Sequence, residues 1–300
     1  MFAITGATGN TGGVIAEKLL AQGAKVRVIG RDATRLARLV QKGAEAFVAD
    51  VTDGAALTRA FEGAEAVYVM VPPNSGSTDF RAYQERVSDA LASALAKASG
   101  SRAVVLSSVG ADKPDKTGPV VGLHNLEQKL NGIAGLKAVY LRAGYFMENL
   151  LPQTEVIQNF GTVAGPVRPD LPLPVIATRD IGGVAAGLLL SPDFAGKEAR
   201  ELLGQRDVKY QEVASVIGKA IGKPDLAYSQ LPPQQLKPAL VQMGMSSNMA
   251  DLLLEMAEAL NSGYMAALEP RTARNTTPTS LESFVAAEFV PRMRRKAVSA

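Results

Sequence analysis

The residues with the clearest chemical potential in this chain of 300 lie at its start, in Gly6-Ala7-Thr8-Gly9-Asn10-Thr11-Gly12-Gly13. Glycines three apart let backbone N–H groups come close to a ligand. Thr8, Asn10 and Thr11 add polar side chains where phosphate or ribose oxygens would lie. Gly6 suits a sharp turn, Gly9 an approach to a pyrophosphate, and Gly12 close packing of a helix on a sheet. Such a run holds phosphate when it joins a strand to a helix, because the helix N-terminus carries unpaired N–H groups and the positive dipole end. The flanks supply that context. Phe2-Ala3-Ile4-Thr5 forms a short apolar strand, Val14, Ile15, Leu19 and Leu20 recur at helical spacing, and Lys25-Val26-Arg27-Val28-Ile29 forms a second strand. The spacing is G-x-x-G-x-x-G rather than G-x-G-x-x-G, so the flanks carry the assignment more than the glycines do.

The second strand ends Ile29-Gly30-Arg31-Asp32. An acidic residue at this tip accepts hydrogen bonds from the ribose 2′-hydroxyl of NAD, whereas an Arg accommodates the 2′-phosphate of NADP. Arg31 is taken as the phosphate contact and Asp32 as the N-cap of the helix that starts at Ala33. NADP(H) is then the preferred cofactor and NAD(H) the alternative. The competing assignment of Arg31 is a solvated surface charge.

Composition narrows the field. The length allows one large or two smaller domains. With no Cys and a single His, disulfides, cysteine nucleophiles and zinc sites find too few ligands, and a reducing, cytoplasmic setting is expected. The first strand begins at Phe2, so no signal peptide is expected ahead of it. No apolar run reaches bilayer length, and residues 184–190 suit a buried helix. The net charge of +3 is small, and the basic run at 292–296 suits a solvated terminus, so neither nucleic acid nor membrane is expected as a partner. A G-x-S-x-G elbow and a Gly-Lys-Ser/Thr loop are both missing, which argues against hydrolase and P-loop chemistry.

The elements that must position the glycine turn alternate. Strands are expected at 45–50, 66–71, 102–108 and 137–141, with helices at 33–41, 55–61, 79–99 and 124–133. Alternation of this kind predicts an α/β fold, a Rossmann doubly wound parallel sheet over residues 1–150. Its ligands bind at the carboxyl ends of the strands. Those ends are residues 6–12, Arg31, Asp50-Val51, 71–74, 107–110 and 143–149, which together would line one cleft. Residues 151–300 form a smaller C-terminal α/β substrate-cap lobe interleaved with the first. Its expected helices cover 179–190, 210–221, 234–243 and 246–260, with short strands at 201–203 and 226–228. A last helix is capped by Ser280.

At this point the chain resembles the NmrA-like family of atypical short-chain dehydrogenase/reductases. The resemblance rests on residues 5–12, Ile29-Gly30-Arg31, Ala49-Asp50-Val51, residues 106–111, residues 141–150 and the 276–289 tail. It implies a Rossmann fold, bound NADP(H) and a substrate pocket between two lobes. Gly6, Thr8, Gly9, Asn10, Thr11 and Gly12 would hold the pyrophosphate and Arg31 the 2′-phosphate. Asp50 and Val51 would flank the adenine, and Val71, Pro72 and Pro73 would pass beside the nicotinamide-side ribose. The family includes NADPH-dependent quinone and dye reductases and redox-sensing regulators that bind the dinucleotide without turnover.

One departure is mechanistically serious. Most short-chain dehydrogenases carry Tyr-x-x-x-Lys, in which Lys lowers the Tyr pKa for proton exchange. No Tyr here has Lys four residues on; set against the family's helix, Pro119 falls at the Tyr place and Leu123 at the Lys place. The serine of the usual triad corresponds to Ser107 or Ser108. A quinone or dye needs less acid assistance than a carbonyl, so positioning of the hydride would suffice. His124, beside the vacated Lys place, and Tyr145 are candidate proton donors, and Phe146 and Asn149 candidate substrate contacts. For His124 a merely structural role, and for Phe146 packing onto the core, compete evenly. Two functions therefore stand: an NADPH-dependent reductase of a quinone-like or conjugated small molecule, and a non-catalytic NADP(H) sensor acting through a protein partner.

Overall fold

The computed structural model describes residues 1–98, 102–191 and 196–298. Strands β1 (Phe2–Ile4), β2 (Val26–Gly30), β3 (Glu45–Val48), β4 (Ala66–Val69), β5 (Arg102–Ser108) and β6 (Lys137–Ala143) alternate with helices α1 (Asn10–Ala21), α2 (Ala33–Val40), α3 (Gly54–Phe61), α4 (Phe80–Lys97) and α5 (Val121–Asn131). The chain continues through β7 (Tyr145–Phe146), α6 (Gln153–Phe160), β8 (Val163–Gly165), β9 (Leu173–Ile176), α7 (Thr178–Leu190), β10 (Lys197–Leu202) and β11 (Asp207–Val208). It ends with α8 (Tyr210–Ile221), β12 (Tyr228–Gln230), α9 (Pro233–Gln242), α10 (Ser247–Asn261), α11 (Leu281–Phe284) and α12 (Val290–Val298). No helix among the described residues is long and apolar enough to cross a membrane.

Among the described residues the main sheet has seven strands in the order β3-β2-β1-β4-β5-β6-β10, every pairing parallel. This is the Rossmann order with one strand added, and it confirms the expected fold class. The order reverses between β1 and β4, which leaves a crevice at their carboxyl ends, where the glycine turn sits. Alternate residues of β4 enter opposite cores. Val67 and Val69 pack with α3, α4 and α5, whereas Ala66 and Tyr68 pack with α1 and α7. Burial on both faces explains the continuous apolar run of β4, Ala-Val-Tyr-Val.

Several helix starts are fixed by short side chains. Asp32, Asp53 and Asp79 accept backbone N–H bonds at the starts of α2, α3 and α4, and Ser246 and Ser280 do so at α10 and α11. Asp32 is therefore a cap, as its position suggested. Helix α7 starts differently: Ala177 has no side chain to offer, and Glu148 reaches from thirty residues away. Its carboxylate accepts from the Thr178 N–H at 2.9 and 3.1 Å and from the Thr178 hydroxyl at 2.6 Å.

Several boundaries differ from expectation. The 45–50 and 66–71 strands stop at Val48 and Val69, and the 137–141 strand runs on to Ala143. The helix expected at 124–133 starts at Val121, after a 3-10 turn over Gly118–Val120. The 79–99 helix ends at Lys97, and Ser99 lies outside the described residues. The strand expected at 201–203 is instead β10 from Lys197, whose polar sequence is held by ion pairs of Glu198 with Arg200 and Arg274. The 226–228 strand lies at Tyr228–Gln230. Although they follow residue 150, α7 and β10 belong with the main sheet, α7 packing on α1 and β10 beside β6. The rest of the second half builds its own core from α8, α10, α11 and the small sheets β11-β9-β7 and β12-β8.

Replacing Glu148 with Ala is expected to lower unfolding free energy by about 2 kcal/mol, the scale of a lost helix cap plus an unpaired buried donor. Urea titration followed by circular dichroism would measure it, and an unchanged midpoint would contradict the remote cap.

Candidate functional site

The glycine turn is built by close approach. Gly6 has φ of +60°, and a Cβ at Gly12 would lie 2.4 Å from the Gly6 carbonyl oxygen, so α1 can sit this close to the turn only with Gly at that position. Gly9 stands at the N-cap of α1 and no side chain caps it among the described residues, in contrast to α2, α3 and α4. The first N–H groups of α1 thus face the crevice with the helix dipole behind them. Buried bonds hold the turn from below. The Thr5 hydroxyl donates to the Tyr68 carbonyl at 3.0 Å, and the Tyr68 hydroxyl donates to Thr11 Oγ1 at 2.8 Å. Thr11 is accordingly buried and turned toward the core, Thr8 is half-buried, and Asn10 is exposed. A dinucleotide pyrophosphate fits this open, glycine-lined helix end.

Arg31 is exposed at the tip of β2, near Asp50 and Tyr83. Burial pushes the Asp50 carboxyl up, but bonds from the Thr52 N–H and hydroxyl and the charge of Arg31 outweigh it and hold the group below the usual carboxylate range. Val51 is buried in the core beside α3 and α4. Arg31, Asp50 and Val51 all follow the carboxyl ends of β2 and β3.

A cleft of about 590 Å³ opens between the strand tips and the second half of the chain. Val71, Pro73, Ser107, Ser108, Tyr145, Phe146 and Asn149 line it, so the structure brings these sequence candidates together. Pro119 and Leu123 line it too and make that stretch of the wall apolar. α10 and the loop after it add Met249, Met256, Leu260 and Met265 to the lining. With Met70 this gives a wall rich in methionine, a flexible surface for flat apolar ligands.

The polar groups of the cleft are few and their protons can be traced. Tyr145 packs edge-on against Tyr210, with ring centroids 6.4 Å apart, and Tyr210 stacks on Tyr228 at 4.7 Å. Burial raises the Tyr145 pKa, and hydrogen bonds with Tyr210 and Asn149 only partly offset the rise. Tyr145 is therefore a neutral phenol at physiological pH. His124 is not among the residues lining the cleft. It is half-buried, with Nδ1–H donating to the Ala111 carbonyl at 2.8 Å, which ties α5 to the loop after β5. Ser107 Oγ donates to Glu127 at 2.5 Å, and Ser108 Oγ donates to the Val109 carbonyl at 2.9 Å. Glu127, Arg142 and Gln84 complete this region, and no local pattern marks them, because their partners are distant in the chain.

A model of the NmrA-like family matches residues 1–285. An NAD(P)H azoreductase of Xenophilus azovorans is 27% identical over 268 residues, covering 89% of each chain. The structure of an NADPH-dependent quinone oxidoreductase from Escherichia coli complexed with NADPH has a TM-score of 0.79 at 24% identity, covering 95% of this chain and 99% of that one. The structure of NmrA, a negative transcriptional regulator, in complex with NADP has a TM-score of 0.67 at 18% identity, covering 98% and 97%. With the Rossmann sheet, the open glycine turn and a family match over nearly its full length, the chain belongs to the NmrA-like family.

Proposed function

We propose that this protein is an NAD(P)H-dependent oxidoreductase that prefers NADPH and passes hydride directly to a quinone-like or otherwise conjugated small molecule. The observation that carries the reading is the place of Met70, which lies against Gly6 of the uncapped glycine turn and also lines the apolar cleft. The names of its relatives, an azoreductase and a quinone oxidoreductase, support the same class. When bound, the dinucleotide supplies a hydride from its reduced nicotinamide.

The chain's own residues then bind, orient and protonate. The first N–H groups of α1 hold the pyrophosphate, and Arg31 holds the 2′-phosphate by charge-assisted bonds. Asp50 and Val51 lie along the adenosine end, and Val71, Pro72 and Pro73 lie beside the nicotinamide end. The apolar walls exclude water from a flat acceptor and keep it close to the cofactor. Pro119 and Leu123 offer no proton, which restricts the reaction to acceptors whose own electron demand drives it. Tyr145, kept neutral by burial, donates a hydrogen bond to the acceptor oxygen as negative charge develops there.

A second reading has its own support in the likeness to a regulator bound to NADP and in the apolar Pro119 and Leu123. It is a non-catalytic NADP(H) sensor acting through protein partners.

Mixing protein with NADPH and a quinone panel is expected to lower absorbance at the NADPH band. Tight NADPH binding with no loss above the enzyme-free rate would favour the sensor. Arg31→Ala is expected to weaken NADPH by about 1.5–3 kcal/mol and leave NADH nearly unchanged in fluorescence titrations. Equal weakening of both cofactors would refute the 2′-phosphate contact. Tyr145→Phe is expected to lower kcat by about tenfold or more. Because the Tyr145 pKa lies above its ordinary value near 10, the proton stays on the phenol and activity should be flat from about pH 6 to 9. A fall across that range would assign the proton to another group.

A further inference from the structure

Two polar side chains of the cleft carry lone pairs that no proton meets among the described residues. Ser107, at the end of β5, and Gln84, on α4, both line the cleft and are 2% and 3% exposed. The Ser107 hydroxyl donates to Glu127 Oε1 at 2.5 Å. Glu127, itself 2% exposed, is gripped by Arg142, whose Nε donates to Oε1 at 3.1 Å and whose Nη2 donates to Oε2 at 2.6 Å. A carboxylate only accepts hydrogen bonds. The one proton of Ser107 therefore points away from the cleft.

Gln84 shows the same polarity. Its Nε2 donates to the Pro119 carbonyl at 2.8 Å, while its Oε1 is buried with no partner among the described residues. The amide lies against Gly122, where a Cβ would come within 2.3 Å of Oε1. A buried carbonyl oxygen without a donor is unfavourable until one reaches it.

We propose that this wall of the cleft selects ligand groups that donate hydrogen bonds, through Ser107 Oγ and Gln84 Oε1. Glu127 and Arg142 are the positioning residues that fix the serine as an acceptor. The ligand group is an N–H or O–H, and it has two sources: the amide of a bound nicotinamide, or an amino or hydroxyl substituent on the acceptor molecule. The second source rests on the reductase reading; the polarity of the wall does not.

Calorimetry on the full chain separates the sources. The cofactor arm compares NADP+ with its 3-acetylpyridine analogue, in which a methyl ketone replaces the amide. The substrate arm titrates NADP+-saturated protein with 2-amino-1,4-naphthoquinone and with 2-methyl-1,4-naphthoquinone. In at least one arm, the preference for the donor ligand is expected to fall about fivefold in Ser107→Ala or Gln84→Met, the scale of one neutral hydrogen bond. Glu127→Ala removes the acceptor that holds the Ser107 proton and frees that proton toward the cleft. That variant should reverse the preference, whereas a merely structural role for Glu127 would weaken both ligands of a pair alike. Should Arg142, left without its charge partner, prevent that variant from folding, Ser107→Ala and Gln84→Met still decide the matter. Ratios identical to wild type in both arms would overturn the proposal, as would failure of the wild-type chain to bind either member of both pairs. Absence of quinone reduction with altered binding ratios would remove the reductase reading and leave this one standing.

Discussion

The structure depends on how closely α1 approaches the end of β1. A Cβ at Gly12 would lie 2.4 Å from the Gly6 carbonyl oxygen, so a backbone-to-backbone contact sets the position of the helix. That contact leaves the α1 N-terminus open at the point where the strand order reverses, which is where an α/β sheet gathers its ligands. The Tyr68 hydroxyl, buried beneath the turn, anchors Thr11 and so fixes the first turn of the helix. Neighbouring helices close their starts with Asp32, Asp53 and Asp79, while α1 keeps its start for a ligand.

The second half of the chain is tied to this frame by carboxylates used as acceptors for backbone N–H groups. Glu148 caps α7, Glu201 of β10 receives the N–H groups of Leu268 and Glu269, and Asp180 of α7 receives that of Thr279. The last two contacts draw the segment after α10 and the C-terminal tail onto the main sheet. The loop bearing Met265 is held over the end of β5, where it forms one wall of the cleft. The cleft is thus a consequence of how the halves are fastened, with few polar groups of its own.

Much of this was legible in the sequence where a local pattern had a single physical cause. Strands buried on both faces showed as apolar runs, the glycine turn showed between strand and helix, and Asp32 showed as a cap ahead of a helical repeat. Other features depend on distant partners. Strand β10 reads Lys-Glu-Ala-Arg-Glu-Leu and carries no apolar signal, because ion pairs and a buried Glu201 hold it. His124 stood next to Leu123 in the sequence, and Leu123 does line the cleft. Successive helical residues point about 100° apart, and His124 is turned to Ala111 instead. Ser107 was visible as a candidate, but Glu127 and Arg142, which decide where its proton goes, come together only in the folded chain.

The central claim is that the open end of α1 is a cradle for a phosphorylated adenine dinucleotide. Calorimetric titration of the folded chain with NADPH tests it most directly. The account predicts saturable uptake of one dinucleotide per chain, and absence of any binding heat across temperatures by well-folded protein would contradict it.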